Sequence, residues 1–287
     1  MPIIKTEKLT HIYSVGTPFE RVALRDVDFD VEKGEYLAII GHTGSGKSTF
    51  IQHLNGLLTP TSGKVFYNDR DIQESKEWKR QIRFHVGIVF QYPEYQLFEN
   101  TLYEDIAFGP KNMGLHESLI HERVIEAAGF ARIDETLLNK SPFELSGGLK
   151  RRAAIAGVIA MHPQVLILDE PTAGLDPRGK AEIINNINEY RQAHGATIIM
   201  VTHSMEEAAK NADRIVIFEQ GNIAMDGTPS EVFAKSDLLN EMNLSAPQAT
   251  LIAQKLGEMG LELDGSIYTI TQLRTAINTL RNKRNEQ

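Results

Sequence analysis

Residues 41–48 combine the glycines, the lysine and the hydroxyl group that a triphosphate requires, in the order G-x-x-x-x-G-K-S. Glycines leave backbone N–H groups free to point at phosphate oxygens, because no side chain stands in the way. The lysine supplies positive charge to the β and γ phosphates, and the serine hydroxyl suits Mg²⁺. We therefore predict a nucleoside triphosphate site formed by Gly41, Thr43, Gly44, Ser45, Gly46, Lys47, Ser48 and Thr49.

A second chemical pattern is the pair of carboxylates, Asp169 and Glu170, that follows the apolar run 165–168. Ligands bind at the carboxyl ends of strands in open α/β sheets, so this pair is expected beside the phosphate loop. Asp169 suits a magnesium role, directly or through water, and Glu170 suits polarisation of the attacking water. A strand that simply ends in polar residues is the alternative.

Strand-like and helix-like segments alternate along the chain, which predicts an α/β fold with a parallel core sheet. Residues 36–40 form an apolar run that leads directly into the loop, and residues 48–58 are predicted to form the helix after it. Strand, glycine loop and helix in this order are the context that the motif requires. Further buried strands of the core sheet are predicted at residues 84–90, 165–168 and 197–202.

The remaining segments predict additions to this core. Alternating apolar residues predict a small antiparallel sheet from residues 3–13, 23–31 and 63–67, and a hairpin at residues 214–227. Thr228, Pro229 and Glu231 have the types and spacing of a capped helix start. We predict a nucleotide-binding domain at residues 1–227, a helical subdomain inside it at about 92–163, and a small, mostly helical domain at 228–287.

Composition and charge limit the classes of function. With 41% apolar residues the chain can bury a normal core, and its apolar runs are shorter than the roughly 18 residues that cross a membrane. The chain starts without a signal-peptide pattern, so we expect a cytosolic protein whose membrane role comes through a partner. The net charge of −8 opposes broad binding to nucleic acid, and the absence of cysteine excludes disulfides, thiolate zinc sites and cysteine nucleophiles.

The motif Leu145-Ser146-Gly147-Gly148 makes the chain closely resemble the ATP-binding cassette (ABC) ATPases. Other family motifs occur in the family's order over about residues 3–230. They are a Q-loop at Gln91, a D-loop at residues 173–176 and a switch histidine at His203. The resemblance implies ATP and Mg²⁺ as ligands. It implies catalytic roles for Glu170, His203, Gln91 and Lys47, metal contacts from Ser48, Gln91 and Asp169, and nucleotide contacts from Tyr13, Ser146, Gly147, Gly148 and Asp176.

Three of these residues depend on motif order for their interpretation, because each has a plainer role by itself. Tyr13 alone is more often a core aromatic, and stacking on adenine would contribute only ~0.5–1.5 kcal/mol. His203 alone is more often a hydrogen-bonded histidine at a strand end. Gln91 alone could cap the turn that follows it.

The signature residues predict a second subunit. Ser146 and the amides of Gly147 and Gly148, at a helix start, form an anion-binding end. In the family this end faces the γ-phosphate of ATP held by the opposite subunit, so ATP favours closure and hydrolysis favours opening. Leu149 stands where the family usually has glutamine, which slightly favours a heterodimer of unequal ATPases over a homodimer.

Residues 90–98, Thr101 and residues 104–110 resemble the segment after the Q-loop in energy-coupling factor (ECF) transporter ATPases, including the cobalt and nickel type. Residues 16–20 and the loop itself also resemble one of the two ATPase paralogues of that group. The resemblance implies a peripheral ATPase pair at the cytoplasmic face of the membrane, docked on a transmembrane coupling protein. That protein works with a membrane protein that captures a vitamin or metal ion, and the C-terminal domain aids pairing of the ATPases.

Acidic residues in this segment carry a docking hypothesis. We expect some of them to receive basic side chains from the coupling protein, because charge-assisted contacts suit such docking. A solvated acidic face is the alternative. The residues are Glu94, Glu99, Glu104 and Asp105.

Other classes remain as alternatives. A soluble ABC ATPase of the iron–sulfur assembly type has a single cassette too, as does the ATPase of another ABC importer. Repair ATPases usually carry a long coiled-coil insertion, and translation-type members carry two cassettes in one chain. The sequence shows neither feature, which argues against both classes. A P-loop kinase has no use for the signature, and a regulatory cassette would be expected to lose Lys47, Glu170 or His203, which are all present.

Overall fold

The computed structural model describes residues 1–261, 263 and 267–285. Near the chain start is a four-stranded antiparallel sheet, whose strands are β1 (Pro2–Tyr13), β2 (Arg21–Glu32), β4 (Ser62–Tyr67) and β5 (Arg70–Asp71). They lie in the order β2-β1-β4-β5. The polar–apolar alternation that predicted this sheet reflects burial of a single face.

The central sheet has six strands: β3 (Tyr36–Gly41), β6 (Val86–Val89), β7 (Val165–Asp169), β8 (Thr197–Val201), β9 (Arg214–Glu219) and β10 (Asn222–Gly227). Their order is β10-β9-β3-β8-β7-β6. The pairs from β9 to β6 are parallel, whereas β10 forms the antiparallel hairpin with β9. This arrangement brings the carboxyl ends of β3, β7 and β8 to one edge, where the phosphate loop begins.

Both faces of the central sheet are covered, so β3, β7 and β8 are buried along their whole length. Ile167 and Ile199 face the antiparallel sheet. Leu166 and Ile198 face the opposite way, toward the helical region. The helices outside that region and before residue 228 are α1 (Lys47–Leu54), α2 (Lys76–His85), α6 (Pro177–His194) and α7 (Met205–Asn211).

The helical region contains α3 (Leu102–Asn112), α4 (Glu117–Phe130) and α5 (Gly147–Ile159), with short 3₁₀ turns at Pro93–Gln96, Glu135–Leu137 and Pro142–Glu144. Apolar residues of all three helices join one cluster with β7, β8 and α6. The helical region and the core sheet therefore share buried surface, so a displacement of one would disturb the packing of the other.

The last described helices are α8 (Pro229–Phe233), α9 (Ser236–Glu241), α10 (Gln248–Glu258) and α11 (Ile270–Asn285). The predicted helix start is present as a capping box between Thr228 and Glu231. Helices α8 and α9 share an apolar cluster with β3 and β9, and a separate cluster begins at Ala249. The domain division at residue 228 stays a prediction, and α8 and α9 pack against the core sheet across that division.

The predicted fold class is confirmed: a parallel core sheet, an antiparallel sheet and helical additions are all present. Two local predictions were wrong. The helix after the loop ends at Leu54, because Gly56 adopts a positive φ of 71°. The strand predicted at 84–90 begins only at Val86, since the residues before it form α2, which Ser75 caps.

Every helix within residues 1–261, 263 and 267–285 is too short or too polar to span a lipid bilayer.

Candidate active site

The phosphate loop connects β3 to α1 and requires glycine at two positions. Gly41 has φ 153° and Gly46 has φ 107°. A Cβ atom on Gly41 would lie 2.3 Å from the carbonyl oxygen of Phe218, and one on Gly46 would lie 2.6 Å from that of Ala23. The loop is therefore held against neighbouring backbone, with the amino end of α1 presented to a ligand.

Lys47 is almost completely buried in this loop. Its ammonium group donates hydrogen bonds to the carbonyl oxygens of Gly41 and His42, each at 2.7 Å. Burial lowers the pKa of Lys47, and the carboxylates of Glu170 and Asp169 oppose that shift. The cation is thus held against loop carbonyl oxygens and lines the cavity in which a bound triphosphate would need positive charge.

Ser48 and Asp169 form an oxygen-lined position beside the loop. The Ser48 hydroxyl donates to a carboxylate oxygen of Asp169 at 3.2 Å. Burial raises the pKa of Asp169 and the charge of Glu170 adds to the rise, whereas Ser48, Lys47 and His203 lower it. Hydroxyl and carboxylate oxygens are the ligands that Mg²⁺ prefers, and a cation here would offset the cost of the buried charge.

Glu170 lies at the carboxyl end of β7 and is held by two partners. Gln91 donates its amide N–H to one carboxylate oxygen at 2.9 Å, and Nε2 of His203 lies 2.7 Å from the other. The Glu170 backbone has φ 50°, a left-handed conformation that is uncommon for glutamate and concentrates at functional sites. The carboxylate is fixed in direction, as a group that accepts a proton from water must be.

These residues line one cavity. Among the predicted residues that line it are Tyr13, Thr43, Gly44, Gly46, Lys47, Ser48, Thr49, Gln91, Asp169, Glu170 and His203. Gly41 and Ser45 belong to the same loop but face inward, and Ser45 is buried. The Tyr13 hydroxyl shares a hydrogen bond of 3.1 Å with that of Thr49, which places the exposed Tyr13 ring at the mouth of the cavity.

Arg21 also lines the cavity and was missed from the sequence. It pairs with Tyr13 across the β1–β2 hairpin, and its guanidinium group lies close to Gly44. The predicted strand began at residue 23, so Arg21 was assigned to the loop before it. Extending the strand to pair with Tyr13 would have found this cation.

Ser146, Gly147, Gly148 and Asp176 do not line this cavity among the residues that the structure describes. Ser146 caps α5 by accepting a hydrogen bond from the Leu149 amide at 3.4 Å. The two glycines are exposed, and a Cβ atom on either would have no described heavy atom within 4 Å, its own helix backbone apart. The amino end of α5 is therefore open to solvent, as the predicted anion-binding role requires.

Arg151 anchors α5, the helix that begins at the signature residues, and this role was also missed from the sequence. It is 3% exposed and makes a bidentate ion pair with Glu94 at 2.9 and 2.7 Å. The same guanidinium donates to the carbonyl oxygens of Pro171 and Ala173. One buried cation thus ties α5 to the segment after Gln91 and to the segment after Glu170.

This geometry contradicts the docking hypothesis for two of its four residues. The Glu94 carboxylate is taken by Arg151 within the chain. The buried Asp105 carboxylate accepts the backbone amides of Phe98 and Glu99. Glu99 and Glu104 remain as candidates for a charged contact with a partner.

Comparison with known proteins agrees with the fold and the site. The family model described as ABC transporter matches residues 24–173. Energy-coupling factor transporter ATP-binding proteins EcfA2 are similar along nearly the whole chain. The one from Clostridium tetani is 50% identical over 282 residues, 98% of each chain, and the one from Caldanaerobacter subterraneus subsp. tengcongensis is 51% identical over 277 residues, 96% of each chain.

Solved structures give the same result. CbiO1 from Clostridium perfringens, described as part of the ABC transporter complex CbiONQ, has a TM-score of 0.74 and 39% identity, covering 90% of this chain and 98% of its own. The cassette MJ0796, solved as a dimer in a post-hydrolysis state with ADP and phosphate, has a TM-score of 0.71 and 27% identity, covering 79% of this chain and 98% of its own.

The fold and the site define an ATPase of the ABC class, with a P-loop that binds ATP. Within that class, the chain belongs to the family of energy-coupling factor transporter ATP-binding proteins. These relatives do not favour the alternative of a soluble iron–sulfur assembly ATPase.

Proposed function

We propose that this chain hydrolyses ATP between its own phosphate loop and the signature of a second ATPase subunit, and so energises uptake through a membrane coupling protein. One observation carries the proposal. Within the described chain, Glu170 lines the phosphate-loop cavity with its carboxylate oriented by Gln91 and His203. The proposed anion-binding end at Ser146 lies exposed outside that cavity. Two chains facing each other would bring these halves together.

The proposed roles combine the observed contacts with the family resemblance. Lys47 and the loop amides bind the β and γ phosphates, and Tyr13 stacks on the adenine. Ser48, Asp169 and Gln91 would hold Mg²⁺, which would supply charge neutralisation on the phosphates. The signature residues Ser146, Gly147 and Gly148 bind the partner's γ-phosphate, and Asp176 connects the two sites.

In the reaction, Glu170 accepts a proton from water as the water oxygen bonds to the γ-phosphorus. The bond from that phosphorus to the β–γ bridging oxygen breaks, and ADP leaves with the electron pair. Gln91 and His203 keep the Glu170 carboxylate directed at the water, because each binds one of its oxygens. Excluding bulk water from the closed interface strengthens these electrostatic contacts.

The partners are proposed from the family and from an exposed surface. Relatives are named for energy-coupling factor transporters, and one belongs to a complex of several polypeptides. Tyr95, Phe98 and Phe108 are exposed aromatics in or next to the segment after Gln91, and they would suit docking on a transmembrane coupling protein. A substrate-binding membrane protein would then supply a vitamin or metal ion, with this chain peripheral on the cytoplasmic face.

Native mass spectrometry of the gently solubilised complex tests this proposal. The expected result is two ATPase chains, with an unlike pair favoured by Leu149, together with hydrophobic membrane subunits. A second readout is specific ATPase activity against concentration of the purified chain. Full activity that does not depend on concentration, in a preparation without any partner, would contradict the proposal.

A further inference from the structure

Three side chains meet at the edge of the core sheet opposite to the phosphate loop. Glu126 lies on α4, His162 lies in the turn between α5 and β7, and His194 is the last residue of α6. Nε2 of His162 is 2.7 Å from one oxygen of the Glu126 carboxylate, and Nε2 of His194 is 3.1 Å from the other. One ligand atom from each residue lies within 4.8 Å of the others.

We propose that Glu126, His162 and His194 bind a divalent transition-metal cation of the zinc class. Two imidazoles and one carboxylate, with water in the fourth position, are a donor set that zinc accepts. Tetrahedral bonds of about 2.0–2.2 Å place ligand atoms roughly 3.3 Å apart. The two separations between histidine and Glu126, 2.7 and 3.1 Å, are shorter than this, so the imidazoles would move outward from the carboxylate to admit an ion.

The electrostatics around this cluster favour a cation. Helices α5 and α6 both end beside it, and the carboxyl end of a helix carries a partial negative charge. Glu126 adds a full negative charge. Arg123 is the opposing group: it lies one turn earlier on α4 and donates to the Ala160 carbonyl oxygen at 3.5 Å. Its positive charge beside the cluster lowers the affinity for a cation.

The surroundings fix the ligands and leave access. The His194 ring packs on Tyr190 with centroids 4.7 Å apart, and Phe130 contacts both rings. Tyr190 donates to the Pro163 carbonyl oxygen, which ties α6 to the turn that carries His162. The side chains of His162 and His194 are 25% and 22% exposed, so a water ligand can reach the site.

A metal at this position would join three parts of the chain. Glu126 belongs to the helical region, whereas His162 and His194 lead directly into β7 and β8. The ion would therefore stabilise the docking of the helical region on the core sheet. The simpler explanation, in which each imidazole donates a hydrogen bond to Glu126, predicts no metal affinity.

Isothermal titration of the full-length chain with Zn²⁺, in excess Mg²⁺ to occupy oxygen-only sites, tests this proposal. Wild type should bind one Zn²⁺ per chain and unfold at a higher temperature when the metal is present. Glu126→Gln and His162→Gln should each weaken Zn²⁺ binding by more than about tenfold, since even outer-shell changes cost 10–100-fold. His121→Gln, which changes an exposed histidine of the same helix, should bind like wild type.

The metal-induced shift of each variant is compared with its own metal-free unfolding temperature, so a general loss of stability does not mimic loss of the site. Absence of Zn²⁺ binding to wild type would overturn the proposal. Binding that is equal in Glu126→Gln, His162→Gln and His121→Gln would overturn it as well, because the metal would then lie elsewhere.

Discussion

The phosphate loop and the signature residues each lie at the amino end of a helix and suit an anion, but their surroundings differ. At the loop, α1 is accompanied by Lys47, Asp169 and Glu170 in one cavity. At the signature, α5 presents Ser146 and two exposed glycines, which do not line that cavity within the described part of the chain. In the proposed mechanism, the first is the reactive half of the site and the second is the half that recognises the partner's nucleotide.

The two sites also differ in the contacts that fix their geometry. The reactive half is fixed by short contacts around Glu170. The recognition half is fixed from behind, by the buried Arg151 that links α5 to both flanking segments. Changes on the reactive side should alter chemistry or binding directly, whereas changes behind the signature should act through the position of α5.

Glu170→Gln should give the largest effect. Without the carboxylate that accepts the proton, ATP turnover should fall by about 10²–10⁴-fold, while ATP binding stays unchanged. Phosphate release and equilibrium binding of ATP measure the two quantities. Glu189→Gln removes a surface carboxylate that pairs with Arg132 and should leave both unchanged. Normal turnover in Glu170→Gln would remove this residue from the mechanism.

Arg151→Met should strongly destabilise the signature side. Removing one partner leaves the half-buried Glu94 carboxylate unpaired, at a cost of about 3–5 kcal/mol in the free energy of unfolding. Denaturant unfolding measures this quantity. The control is Arg132→Met, which breaks an exposed pair with Glu189 and should cost ~0–1 kcal/mol. If the two variants lose equal stability, Arg151 is not the anchor that its contacts indicate.

Lys47→Ala should weaken ATP binding itself. Loss of a charge-assisted contact costs about 1.5–3 kcal/mol, or roughly 10–150-fold in affinity. Titration with a fluorescent ATP analogue provides the measurement. Lys64→Ala, which removes an exposed lysine near Asp71, is the matched control and should bind normally. Unchanged affinity in Lys47→Ala would contradict the phosphate-loop assignment.

Tyr13→Ala should have the smallest effect. An aromatic contact with adenine contributes ~0.5–1.5 kcal/mol, so affinity should fall roughly 2–10-fold. Tyr13→Phe should retain most of the affinity, because the ring remains and only the contact with Thr49 is lost. Phe19→Ala removes an exposed aromatic of the adjoining loop and should be neutral. Equal affinity of Tyr13→Ala and wild type would leave Tyr13 outside the nucleotide site.

The sequence predicted the elements whose residues act locally. The loop 41–48 needs its own glycines and its neighbouring strand, so a short window identified it. Arg151 escaped because its partner Glu94 is 57 residues away and only the fold brings them together. Arg21 escaped because its position depends on strand register. Helix α2 escaped because Trp78 and Ile82 are isolated among charges and its third apolar residue, Phe84, was assigned to the strand that follows.

The cluster of Glu126, His162 and His194 was equally invisible in the sequence. Its members come from three elements and follow no known metal-binding spacing. Their meeting depends on where α4, α5 and α6 end. Such long-range arrangements are set by packing, and a single sequence does not specify them at the level of individual contacts.

ATPase pairs test the central claim most directly, with two affinity tags used to isolate each pair. The substitutions are Lys47→Ala and Ser146→Arg in this chain, or the matching loop and signature substitutions in an unlike partner. When the substitutions are on different chains, one intact loop faces one intact signature, and that dimer should hydrolyse ATP. When both substitutions are on one chain and the partner is wild type, no complete site remains, and that dimer should be nearly inactive. Equal activity of the two arrangements would contradict a nucleotide site shared between subunits.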